Sequence, residues 1–94
     1  METIDEITIR YEEEGVELVK EIEKVVLSKG GAWVTIMFRY IQWENTNQAY
    51  SEDKYTIRRY KKSNGEYRQQ SKFNISNKAQ AQKLVETLSE WIAE

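Results

Sequence analysis

The chain contains no cysteine, no histidine and no proline, and only four glycines among 94 residues. Without cysteine there is no disulfide framework and no thiolate metal site. Without histidine, a serine or lysine nucleophile has no imidazole base, and most zinc sites lose their usual ligand. An enzyme here would have to rely on paired carboxylates. The acids cluster at 12–23 and 44–53 without a catalytic motif, so the expectation is a non-enzymatic protein with no cofactor and no metal. No apolar run approaches the ~18 residues of a membrane span, and the acidic N-terminus does not read as a signal peptide. A soluble, cytoplasmic protein with no membrane partner is expected. The lack of proline favours a chain built mainly of regular elements.

Aromatic residues make up 12% of the chain and charged residues 32%, and that aromatic content argues for a folded domain. A domain of this size buries only about 60–65% of its unfolded surface, so dimerisation would add stability. Charge is unevenly placed. From Lys54 to Lys83 there are nine basic residues against one acid, Glu66. That stretch carries +8 in a chain of net −2, which leaves −10 for the remainder. Nine acids lie between Glu2 and Glu23.

The N-terminal dozen alternates Ile7, Ile9 and Tyr11 with polar residues, as a short strand or a loose acidic arm would. The expected organisation is an arm or short strand over 1–15 and one domain over 16–94. Residues 16–28 are ambiguous: Leu18, Val19, Ile22, Val25 and Val26 fit a helical stripe, whereas their β-branched density fits a strand. Residues 32–43 alternate as a strand, with Val34, Ile36, Phe38 and Tyr40 on the core side. Trp33, Thr35, Met37, Arg39, Ile41 and Trp43 point the other way, and 44–53 is a polar loop. Trp33 and Trp43 suit base stacking, or packing under that loop or at a dimer interface.

Lys54–Ser76 reads as a hairpin about Asn64-Gly65. A two-residue turn would pair Ser63 with Glu66 and mix both faces. A three-residue loop, Ser63-Asn64-Gly65, with Gly65 in a bulge position, separates them. Tyr55 and Ile57 then share a dry face with Ser71, Phe73 and Ile75. Arg58, Tyr60 and Lys62 share a basic aromatic face with Arg68, Gln70 and Lys72. Beyond Ile75, Ala81, Leu84, Val85, Leu88, Trp91 and Ile92 mark an amphipathic helix expected to cover the sheet, capped at Ser76 or Asn77, with Gln80 completing a capping box.

The run Tyr55-Thr56-Ile57-Arg58-Arg59-Tyr60, a glycine turn, and Ser71-Lys72-Phe73-Asn74-Ile75-Ser76 leading into a helix resemble the third and fourth strands of the positive cofactor four family of transcriptional coactivators and its small bacterial relatives. Trp43 matches an aromatic at the end of the family's second strand, and Val25-Val26-Leu27-Ser28 with the Gly-Trp at 31–33 resembles the bacterial members' first strand and turn. The similarity covers about residues 18–92. The chain departs from the pattern in its longer 44–53 loop, in Ser71-Lys72-Phe73 replacing a glycine-flanked lysine, and in its acidic arm. The resemblance implies an α+β fold: a four-stranded antiparallel sheet (ββββα) with 16–28 as a strand and one C-terminal helix on the apolar face. It also implies a homodimer formed through the helices that binds single-stranded DNA with little sequence preference, in transcription or DNA maintenance. Arg58, Tyr60, Lys72 and Trp43 would inherit that role. The face assignment adds Trp33, Arg39, Lys62 and Arg68 as nucleic-acid-binding candidates, with RNA an alternative ligand. A dimeric protein-interaction module using the Trp33/Trp43 face is the other expectation.

Overall fold

The computed structural model of the chain describes residues 3–94, so Met1 and Glu2 of the expected arm lie outside the described residues. The strands are β1 (Tyr11–Glu13), β2 (Val16–Gly30), β3 (Trp33–Glu44), β4 (Ala49–Tyr50), β5 (Lys54–Ser63) and β6 (Glu66–Ile75), followed by helix α1 (Lys78–Ile92). All strand pairings are antiparallel, in the order β1-β2-β3-β5-β6, with β4 pairing the end of β3. The α+β class with a C-terminal helix is as expected. The strand count is not: β1 grows from the end of the acidic arm, and β4 forms inside the 44–53 loop.

Residues 16–28 lie in β2. Two irregularities in its ladder to β3, one skipping Ile22 and one skipping Leu27, explain the helical look of the sequence. Each extra residue shifts the side-chain alternation by one, so the apolar positions of one long strand fall at three- and four-residue steps.

The β5–β6 turn corrects the expected three-residue loop. Asn64 and Gly65 both have positive φ, 54° and 82°, and Ser63 pairs with Glu66, as a two-residue type I′ turn requires. The compensating bulge lies further along the hairpin, where Arg59 pairs with Ser71 and Tyr60 with Gln69, leaving Gln70 unmatched. Beyond it Arg58 faces Lys72 and Ile57 faces Phe73, which keeps the expected sharing of sides but not the expected partners, Gln70 for Arg58 and Ser71 for Ile57. Between bulge and turn the faces are exchanged, and Arg68 lies opposite Lys61 instead of sharing the side of Arg58, Tyr60, Lys62 and Lys72.

A second correction concerns the core. In the β3–β5 register Val34 faces Tyr60, Ile36 faces Arg58, and Phe38 faces Thr56. The apolar side of β3 therefore continues into the basic aromatic side of β5, not into Tyr55 and Ile57. Its cover is the N-terminal segment, whose Ile7 and Ile9 are buried with Val34, Ile36, Phe38 and Tyr60, flanked by Ile4, Val19, Tyr40 and Tyr67. Burying each such aliphatic side chain is worth about 1.5–3 kcal/mol. Thr56, also fully buried, donates its hydroxyl to Asn74 Oδ1 at 2.7 Å, so no polar atom is stranded there.

Helix α1 is capped as the sequence suggests: Asn77 Oδ1 accepts from Gln80 N–H at 2.8 Å, and Gln80 Oε1 accepts from Ser76 N–H at 2.7 Å. It does not cover the sheet. It meets the sheet mainly at β6, and its stripe stays exposed, with Trp91 65% and Ile92 78% accessible. The molecule measures 46 × 39 × 17 Å, and its short axis is that of a sheet with one thin covering layer.

Candidate nucleic-acid interface

The β5–β6 hairpin concentrates charge because its alternating positions are basic on both faces. It carries Lys54, Arg58, Arg59, Lys61, Lys62, Arg68 and Lys72. Among the described residues only Arg68 of this set forms an ion pair, with Glu66 at 3.5 Å, both side chains about two-thirds exposed. Elsewhere three cations are paired with carboxylates, whereas Lys29, Lys78 and Lys83, like the hairpin cations other than Arg68, form no ion pair among the described residues. Arg10 is bound by Glu17 and by Glu12, Lys20 approaches Glu17, and Arg39 is held by Asp53 and Glu23. The Arg10 guanidinium is raised above its ordinary pKa chiefly by its hydrogen bond to Glu17, and that of Arg39 chiefly by its hydrogen bond to Asp53.

The sheet divides the eight sequence-derived candidates between two faces. On the outer face Trp33 lies directly across from Lys61, and Lys61 across from Arg68, so the three form a row over β3, β5 and β6. Arg59, paired with Thr35, reaches back to the same ring. Its guanidinium carbon is 4.5 Å from the Trp33 centroid, and Lys61 Nζ is 5.5 Å from it. Both distances fall within cation–π range. The ring remains 37% exposed. This cluster sits at the end of the sheet beside the tight β2–β3 turn, where Gly30 pairs with Trp33 and Gly31 has φ 59°.

The other two outer-face candidates are committed elsewhere. Arg39 Nε donates to Asp53 Oδ2 at 2.8 Å. Trp43 meets Tyr50 edge to face, centroids 5.2 Å apart, and donates its indole N–H to Asn45 Oδ1 at 3.0 Å. Lys20 lies over the Tyr50 ring at 4.9 Å. Trp43 is thus packed against the 44–50 segment, and β4 exists to hold it there.

Arg58, Tyr60, Lys62 and Lys72 lie on the core-side face. Tyr60 is buried in the core, and Arg58 Nη1 donates to Gln69 Oε1 at 3.0 Å. Lys62 Nζ stands 5.3 Å from the centroid of Tyr67. These two share a cleft with Lys29, Val26 and the arm residues Thr3, Ile4 and Asp5. The end of the sheet therefore presents two rings, Trp33 of β3 and Tyr67 of β6, each flanked by cations, on opposite faces. Arg59, Lys61, Tyr67 and Lys29 were not among the sequence-derived candidates. Arg59 and Lys61 alternate about Tyr60, which marks a second face, but their meeting with Trp33 depends on the β3–β5 register across the nine residues that connect the two strands.

Among the described residues no group of three carboxylates or other metal-ligating side chains is gathered as a cation site. No helix there is long and apolar enough to cross a membrane. Comparisons with protein-family models, with curated proteins and with solved structures give no match to this chain.

Proposed function

We propose that the protein is a non-enzymatic, homodimeric single-stranded nucleic-acid-binding protein, with single-stranded DNA as its ligand and little sequence preference. The observation that carries the reading is the largely unpaired positive charge of the β5–β6 hairpin gathered around the exposed Trp33 ring. Arg59, Lys61 and Arg68 bind phosphates, which confers affinity without sequence information. Trp33 stacks on a base, a contact every base can make. The resemblance to the positive cofactor four family supports the same ligand class, although the outer-face cluster uses Arg59 and Lys61 beside the positions that the resemblance names. The exposed stripe of α1, with Leu88, Trp91 and Ile92, supports a second copy as its cover.

The test is a titration of tryptophan fluorescence with an oligo-dT of about 20 nucleotides, at several salt concentrations and with a duplex control. Three phosphate contacts give a log–log salt slope of about −2. Quenching, preference for the single strand and that slope are the expected results. No binding at low salt overturns the reading, and salt-insensitive binding of a polypeptide would favour the Trp33/Trp43 protein-interaction alternative.

A further inference from the structure

The core-side face carries Arg58, Tyr60, Lys62 and Lys72, and a segment outside every β ladder lies over the part of it formed by Tyr60 and Lys62. Residues 3–10 precede β1 and meet the sheet through Ile4, Ile7 and Ile9, packed with Val34, Ile36, Phe38 and Tyr60. Their polar fastenings to β2 all run through β2 side chains, including an ion pair of Arg10 with Glu17. Lys24 Nζ donates to the carbonyls of Ile4 and Ile7, each at 2.6 Å. Glu21 accepts from the Thr8 hydroxyl at 2.8 Å and from Ile9 N–H at 3.4 Å. Lifting the segment breaks no ladder but uncovers Val34, Ile36 and Phe38, so the open form is the minor one, and the β1–β2 turn at Glu14-Gly15 keeps the segment tethered.

The covered face is incomplete as it stands. Arg58 Nε is buried and has no hydrogen-bond partner, a donor that an anionic oxygen would satisfy. Arg58 lies directly across from Lys72, and neither forms an ion pair among the described residues. The covering segment carries two carboxylates, Asp5 and Glu6, against one cation, Arg10, and its Asp5 shares the cleft of Lys29, Lys62 and Tyr67. The segment thus sets apolar side chains against Tyr60 and one carboxylate, that of Asp5, in the cleft of Lys62.

We infer that residues 3–10 form a displaceable strap that competes in cis with single-stranded nucleic acid for a second binding face built from Arg58, Tyr60, Lys62 and Lys72. This rests on the function proposed above and extends its ligand class to the covered face. With the strap down, the ligand is confined to the Trp33 edge. With it lifted, the Tyr60 ring becomes a stacking surface and Arg58 gains its acceptor. The apparent affinity then scales with the fraction of molecules whose strap is open.

The full chain carrying Ile4→Cys and Val26→Cys, two residues of the same cleft, tests this, because the chain has no other cysteine. Oxidation locks the strap, and the locked form is expected to bind the oligo-dT about tenfold more weakly than the reduced form. Adding Arg58→Ala should weaken the reduced form and leave the locked form unchanged. Separately, Lys24→Met unfastens the strap and is expected to tighten binding although it removes a positive charge. Equal affinity of the oxidised and reduced forms, with the disulfide verified by mass, overturns the strap and leaves the Trp33 site standing. Where the disulfide does not form, Lys24→Met decides alone, and an affinity at or below that of the unaltered chain overturns the strap. Absence of binding by all of these chains overturns strap and proposed function together.

Discussion

Trp33 and Trp43 lie on the same strand and the same face, yet their surroundings give them opposite duties. Trp33 is approached by Arg59 and Lys61 and stays partly exposed, whereas Trp43 spends its ring on Tyr50 and its N–H on Asn45. Trp33→Ala is accordingly expected to weaken oligo-dT binding by about 1–3 kcal/mol with little change in thermal midpoint. Trp43→Ala should do the reverse, lowering the midpoint while affinity stays within about twofold, since truncating a well-packed ring costs about 3 kcal/mol or more. Fluorescence titration and thermal melts of the two variants read both effects. A pH series provides another check at this scale. With no histidine in the chain, the usual titration near neutrality is missing, so affinity should vary less than about twofold from pH 6 to 8. The residue types at the candidate site were legible in the sequence. Which tryptophan stays open was not, because that depends on Asn45 and Tyr50 folding back across a loop.

The elements follow local chemistry where it is strong. Asn64-Gly65 forms the I′ turn because both positions need positive φ, which Gly adopts without strain and Asn tolerates. Gly65→Ala is therefore expected to destabilise the hairpin by roughly 1 kcal/mol, measurable by denaturant titration. At α1, Asn77→Ala removes the bond to Gln80 N–H and should cost about 0.5–2 kcal/mol, appearing first as lost helical ellipticity because α1 has little tertiary packing to hold it. Turns and caps were readable because their energetics lie within four or five residues. The bulges at Ile22, Leu27 and Gln70 were not. A bulge resolves a conflict between two strands, and either strand alone shows only a broken alternation.

At the scale of the molecule the sheet is covered on one side only. Across the outer face Val25, Met37, Ile57 and Phe73 pair in register through β2, β3, β5 and β6, and both ends of this apolar row are half exposed. The stripe of α1 is equally uncovered. Along α1 the charges run from Lys78 and Lys83 to Glu86 and Glu90, with Glu94 just beyond the helix, so an antiparallel two-fold pairing sets the basic end of one helix against the acidic end of the other. Sedimentation should therefore give twice the 11.2 kDa chain mass, and Trp91→Glu should return the monomer with β-sheet ellipticity retained. A monomeric unaltered chain at about 100 μM would dismiss the dimer.

The sequence by itself determined the α+β class, the strand at 32–43, the hairpin and the capped C-terminal helix, and it located the excess of positive charge. Alternation, turn chemistry and capping act over a few residues, so one strand of text contains them. The tertiary structure alone decided which face is the core. The β3–β5 register sets Val34 against Tyr60 and Phe38 against Thr56, and an N-terminal arm distant in sequence supplies Ile7 and Ile9 to seal that face. A shift of one residue in that register would have sent every β5 side chain to the opposite side. The register is fixed by the burial it achieves across the whole sheet, a free-energy difference between complete folds that no short stretch of the chain encodes.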